Sequence, residues 1–263
     1  MESAPTVRPG IDKAWLDRAF ASEPLTHAFG VWDLAEYPDR ADFLSCHDGK
    51  TTIGYLLLWK GNPAMHVVHW VGGDRRTLAF LPHLPSPPLV AIVPDELSYE
   101  VRKALAGAPA FPILGQLLDP RAKHLPEADS RIRPLTRADL PTLSAWATRQ
   151  ADPIVSGYAT VDLDRERVWG AFDRDDLVGV ARAQVRHPAL WVLGGVYVAP
   201  KARHHGFGLG LTVAGILAAK EAGARTGLWV REDNWEARDL YDALGFRTVE
   251  RRSWIEARAS ARA

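Results

Sequence analysis

A single cysteine, Cys46, stands among the 263 residues. That excludes an internal disulfide and a cysteine-based zinc site and suits a reducing compartment, so a cytoplasmic location is the expectation. Net charge is equally scarce: 32 Lys plus Arg balance 32 Asp plus Glu, leaving no global field to hold a phosphate backbone or anionic lipid. Neither nucleic acid nor a membrane is expected as a partner. Long apolar runs are missing too, since the densest, Ile53 to Trp59, falls well short of the ~18 residues a spanning helix requires. Met1 to Gly10 carries Glu2, Pro5, Arg8 and Pro9 with no apolar stretch, so no secretory leader is expected. What is present, 47% hydrophobic and 24% charged residues, is the composition of a folded globular protein long enough for one large domain or two.

The segment Pro120 to Pro134 holds three prolines with Arg121, Lys123, Glu127, Asp129, Arg131 and Arg133, and reads as a surface connector. It divides the chain into an N-terminal domain over 1–125 and a C-terminal domain over 126–263. In the first, Phe43 to Cys46 and Thr51 to Trp59 flank Asp48-Gly49, a hairpin signal. Met65 to Val71 and Leu89 to Val93 read as further strands, followed by an amphipathic helix over Leu97, Val101 and Leu105 that Gly107 closes. In the second, Ile132 to Leu135 precedes a capping-box-like start at Thr136 and Asp139 and a helix to about Gln150. Strands at Trp169 to Phe172, Leu177 to Val185 and Leu190 to Val198 follow, then a helix over 208–222, a strand over 226–230, a helix over 235–244 and a strand near 247–255. The fold class is mixed α/β. The halves share a strands-then-helix order, so a diverged duplication is open, without a repeated motif to establish it.

Chemistry concentrates at Val196-Tyr197-Val198-Ala199-Pro200-Lys201-Ala202-Arg203-His204-His205-Gly206-Phe207-Gly208-Leu209-Gly210, between a strand and a helix. Three glycines in five positions let a backbone approach a ligand, and a helix start aims unpaired N–H groups and the positive dipole end outward. An anion is the natural occupant. No GK[ST] follows, which excludes a Walker loop, and the spacing after Gly208 does not give GxGxxG. A structural turn with a solvated Arg203 is the plainer alternative.

The V-Y-V strand, the A-P pair and R-H-H-G-F-G resemble the acetyl-CoA signature (Q/R)xxGx(G/A) of the GCN5-related N-acetyltransferases, the GNAT superfamily. The stretch Thr226 to Phe246, TGLWVREDNWEARDLYDALGF, is similar to the family's next strand, its Asn, a helix carrying Tyr and a closing GF. With the opening Ile132-Arg133-Pro134-Leu135, the resemblance covers about residues 131–257. It implies a GNAT-like catalytic domain behind a second α/β domain, itself open to being a degenerate GNAT-like repeat that caps the site or pairs the chain as a homodimer.

The resemblance implies acetyl-CoA as cosubstrate and no metal. Backbone groups along Val196, Tyr197 and Val198 would bind the pantetheine arm on a strand edge left unpaired by a splay. Arg203 belongs to the same motif, and amides of His204, His205, Gly206, Phe207, Gly208 and Leu209 would cradle the diphosphate. Asn234 would touch the coenzyme arm while also fitting an N-cap. Tyr241 reads from its pattern as a core aromatic; the match of DLY to the family's segment makes it the acid that protonates the departing thiolate and a coenzyme contact. The attacking amine must lose a proton, yet the strand Leu193-Gly194-Gly195-Val196-Tyr197-Val198 has no Glu, and Trp229 stands where relatives acting on protein N-termini carry one. Glu232, Asp233, His204 and His205 are nearby, and no base is assigned.

Three functions stay open: an N-acetyltransferase acting on a small primary amine or amino acid derivative, one acting on a protein N-terminus or lysine, and a non-catalytic CoA-binding sensor. The N-terminal half has no R-x-x-G-x-G match and is not expected to bind coenzyme. His66 and His69, an odd offset apart in a strand, point to opposite faces and cannot share a metal. Cys46 reads as a small buried hydrophobe. Trp191 and Trp229 could line an acceptor pocket, with core packing the plainer reading, and Asp152 to Asp164 lies where the family's substrate loop would be.

Overall fold

The computed structural model describes residues 4–62, 65–122, 125–150 and 152–259. Met1, Glu2 and Lys123 of the sequence reading lie outside them. The first half runs β1 (Thr6–Pro9), α1 (Lys13–Ser22), α2 (Pro24–Glu36), β2 (Ala41–Asp48), β3 (Thr51–Trp59), β4 (His66–Val71), β5 (Leu89–Pro94), α3 (Ser98–Ala104) and β6 (Ala110–Leu118). The second half continues with β7 (Ile132–Pro134), α4 (Leu140–Gln150), α5 (Pro153–Ser156), β8 (Arg167–Asp173), β9 (Asp176–His187), β10 (Leu190–Val198), α6 (Phe207–Glu221), β11 (Arg225–Arg231), α7 (Trp235–Leu244) and β12 (Phe246–Ala257).

The strands-then-helix reading of the first half needs correction, because two helices precede its hairpin. Asp12 caps α1 by accepting the Trp15 N–H at 3.0 Å, and Pro24 opens α2 with its φ already set. Leu16 and Phe20, one turn apart, are buried with Leu25, Ala28 and Val31. Strand β6 was not anticipated either. Elsewhere the hairpin, the Thr136–Asp139 capping box and the alternation after Leu190 are as expected.

The chain forms two compact units. The first comprises Met1–Gly115, Val230–Trp235 and Thr248–Ala263; the second comprises Gln116–Trp229 and Glu236–Arg247. In the first, β1 to β4 pair antiparallel in sequence, β4 pairs parallel with β5, and β5 pairs antiparallel with β12 from Arg252↔Pro94 to Ala257↔Leu89. Its core gathers Leu56, Trp70, Phe80, Val93, Leu97 and Ile255, with Cys46 fully buried among them. In the second, β7, β8, β9 and β10 pair antiparallel in sequence and β10 pairs parallel with β11. The first five strands thus follow one plan twice, each time with helices between the first and second strands. The second core packs Leu143, Trp146, Val168, Val180 and Tyr197.

Candidate active site in the second unit

Strand β10 carries the geometry that matters. Its parallel register with β11 runs from Leu190↔Arg225 to Leu193↔Leu228, and within this unit no pair beyond that joins the two strands among the described residues. Against β9 the register slips between Gly194↔Arg182 and Tyr197↔Val180, so Gly195 and Val196 stand opposite Ala181 alone. Such a bulge re-aims the strand. It needs a left-handed residue, and Gly195 supplies one at φ +59°. The Tyr158 hydroxyl, from the segment expected to be the substrate loop, donates to the Gly195 carbonyl at 2.8 Å.

Beyond Val198 the chain turns through His204 at φ +63° and Gly206 at φ +83° into α6. Its carbonyls are drawn inward. The Arg203 Nε donates to Val198 O at 3.2 Å, the His205 Nδ1–H to Arg203 O at 2.7 Å, and an Arg131 Nη2–H to His205 O at 3.2 Å. The Arg131 guanidinium also lies 4.4 Å over the ring of Phe207, which is buried and plugs the helix start into the unit. The amides behave oppositely. Those of His204 through Leu209 have no acceptor among the described residues, and Gly210 is the first to find one, the Gly206 carbonyl at 2.9 Å. Six N–H groups at the positive end of a 15-residue helix form an anion site in the sense of unpaired donors and dipole together. Gly208 has open space at its Cα, where an added Cβ would meet nothing nearer than Val198 at 3.9 Å and Leu240 at 4.0 Å.

Leu240 places α7 against this loop, and Tyr241 follows it. The Tyr241 side chain is 8% exposed and stands edge-on to Phe246 at 5.7 Å. Its hydroxyl makes no hydrogen bond among the described residues, and burial pushes its pKa up to about 12. Asn234 immediately precedes α7, exposed, its own N–H donating to Arg231 O at 3.0 Å. The Tyr197 ring is buried against Trp146, leaving only its main chain for a ligand.

Three of the groups weighed for the site are occupied or distant. Glu232 is paired with Arg251 at 3.0 Å and Asp233 with Arg231 at 2.6 Å. Trp191 lines a surface cavity of about 270 Å³ with Ala218 and Glu221 at the far end of α6 from the loop. A polar cluster that the sequence reading missed lies at the β10 bulge instead. Arg182, the register partner of Gly194, pairs with Glu166 at 3.1 Å and stands 5.3 Å over the Tyr158 ring, while its buried Nε–H has no partner among the described residues. The Gln184 carboxamide covers Gly194 so closely that a Cβ there would collide with its Oε1. These residues come from three segments, so no local motif signals them.

The family model described as FR47-like protein matches residues 168–255. No curated protein sequence matches the chain. Among solved structures, a Drosophila protein superposes with a TM-score of 0.67 at 17% identity, covering 95% of this chain and 98% of its own. A GCN5-related N-acetyltransferase-like protein from Streptococcus suis gives 0.62 at 15% identity, covering 94% and 100%. A tandem GNAT protein from the clavulanic acid biosynthesis pathway gives 0.60 at 20% identity, covering 98% and 100%. At such identities the likeness is one of fold, and the fold is a two-domain GNAT-like arrangement, with the family match in the C-terminal part.

Proposed function

From the GNAT-like fold of its C-terminal part, we propose that this protein is an acetyl-CoA-dependent N-acetyltransferase whose acceptor is the primary amine of a small molecule or amino acid derivative. The observation that carries the reading is the row of unengaged amides from His204 to Leu209 at the head of α6. The residues fit the coenzyme: the amides replace the hydration of its diphosphate, Gly208 leaves the approach clear, and the unpaired edge of Val196 and Val198 offers main-chain partners to its amide-bearing arm.

In the ternary complex the amine nitrogen attacks the thioester carbonyl carbon, the carbon–sulfur bond breaks, and Tyr241 hands its proton to the departing sulfur. The phenol is protonated at neutral pH, as a general acid must be before it acts. The attacking nitrogen sheds its own proton toward solvent. The polar cluster of Glu166, Arg182 and Gln184 beside the bulge supplies the acceptor side.

A second reading, coenzyme binding without turnover, draws on the absence of any carboxylate in Leu190–Val198. Incubation with acetyl-CoA and a panel of amines and peptides, following free thiol, separates the two. Thiol release with small amines is expected; release with peptides alone would assign a protein acceptor. Binding of acetyl-CoA by thermal shift with no release on any acceptor would assign the sensor.

A further inference from the structure

The first unit repeats the strand plan of the second, yet an internal carboxylate fills its counterpart of the anion loop. After β4 the chain passes Gly72-Gly73-Asp74 into a short 3-10 helix, Arg75–His83. The Asp74 carboxylate accepts from the Arg76 main-chain N–H at 2.9 Å and from its Nε at 3.0 Å. An anionic ligand would compete with that side chain for the same place.

What the unit retains is space. The parallel register of β4 and β5 ends at His69↔Ile92. Past that point lies a cavity of about 600 Å³, within the size range of small-molecule sites. Six charged side chains line it: the carboxylates Glu23, Asp95, Glu96 and Glu250 and the guanidinium groups Arg251 and Arg252. Two of the carboxylates are matched, Asp95 by Arg251 and Glu250 by Arg252. Glu23 and Glu96 form no ion pair among the described residues, so the lining keeps an excess of negative charge. Trp15 adds an aromatic wall, which also favours a cation.

His27, a further wall residue, is only 6% exposed. Its Nδ1 lies 3.3 Å from the Tyr55 hydroxyl, which has no other hydrogen-bond neighbour among the described residues. A buried hydroxyl needs an acceptor for its proton, so Tyr55 donates to Nδ1. Burial, assisted by the nearby Arg252, lowers the imidazole pKa to about 4 and keeps the ring neutral. The ring's proton is therefore on Nε2, a donor with no partner among the described residues.

We propose that this cavity is a second ligand site, for a small organic amine that also carries an acceptor oxygen, in the size range of an amino acid derivative or a dipeptide. Glu23, Glu96 and the Trp15 ring receive the ammonium group, and the His27 Nε2–H receives the oxygen. The site belongs to the first unit and does not rest on the acetyl-transfer reading.

The test is titration calorimetry on the full chain with lysine methyl ester, phenylalaninamide and glycylglycinamide, and with their N-acetylated forms as controls. At least one free amine should bind with a Kd of about 1 mM or tighter, and its N-acetylated form should bind at least about tenfold more weakly. The Glu23→Gln/Glu96→Gln double variant, at two exposed positions, and His27→Phe should each weaken that amine about tenfold, with far-UV circular dichroism unchanged. The double variant decides alone if His27→Phe fails to fold. Absence of saturable binding for all three amines, or binding that the double variant leaves intact, would overturn the proposal. Neither outcome depends on whether acetyl-CoA binds or turns over.

Discussion

Tyr241 is 8% exposed, yet its hydroxyl, which makes no hydrogen bond among the described residues, is not sealed from solvent. A phenol packed in this way with its hydroxyl open is placed to pass its proton to a departing thiolate. Tyr241→Phe should lower kcat by about 100-fold, in the usual range for a lost general acid, while the KM for acetyl-CoA moves less than about twofold. Steady-state kinetics on the acceptor found by thiol release decides it, and an unchanged kcat removes Tyr241 from the chemistry. Asp33 presents a separate titration. It is 6% exposed, and desolvation raises its pKa to about 8. It therefore keeps a proton that the unfolded chain has released, and native stability falls as pH rises from about 4 to about 8. Burial lowers His27 to about 4 and His69 to about 3, so both act in the opposite sense, losing native stability as pH drops below about 6.5. Between pH 6.5 and 8 Asp33 acts alone. Stability by urea titration should drop there by about 2 kcal/mol, one proton's worth over that interval, and Asp33→Asn should remove the drop.

At the scale of elements, the loop leading into α6 was legible because its chemistry is local: glycine spacing and a strand-to-helix junction are consecutive in sequence. The same locality failed for α2. Its signal is scrambled by the buried polar residues His27 and Asp33 and by Gly30 in mid-helix. Gly30 is there because the Tyr55 side chain packs against it, and a Cβ would lie 2.5 Å from the Tyr55 hydroxyl oxygen. That reason sits on another strand and is invisible along the chain. The Glu166, Arg182 and Gln184 cluster escaped for the same cause. The loop itself yields a separable prediction at Gly208, where the protein leaves room for a methyl group. Gly208→Ala should leave the Tm unchanged or higher, since alanine outranks glycine in a helix by up to about 1 kcal/mol. It should nevertheless weaken acetyl-CoA binding by at least about fivefold, since the methyl intrudes where the diphosphate approaches. Calorimetric titration of both proteins tests it, and equal affinities would mean that the ligand passes elsewhere.

For the whole molecule, the sequence order conceals how the compact units are composed. Val230–Trp235 and Thr248–Ala263 join the first unit although they come from the C-terminal half of the sequence. Within it β12 covers β5, a strand whose six residues are all buried. The composition and the Pro120–Pro134 segment carry no trace of this, because pairing between strands so far apart in sequence, as between Val93 and Ser253, leaves no local pattern. Residues 1–125 expressed alone should therefore be insoluble or aggregated, with β5 offering an apolar unpaired edge. Appending residues 246–263 through a flexible linker should restore a soluble species by size-exclusion chromatography. A soluble, folded 1–125 fragment would show that β12 is dispensable.

Acetyl-CoA-dependent function requires that the amides of His204 to Leu209 receive the coenzyme's diphosphate. Backbone amide spectra of the deuterated, 15N-labelled protein, recorded while CoA is titrated in, address this directly. Saturable shifts should be largest at 204–209 and fade toward the end of α6. Coenzyme that leaves those six resonances unmoved, whether by not binding or by binding at another place, would contradict it.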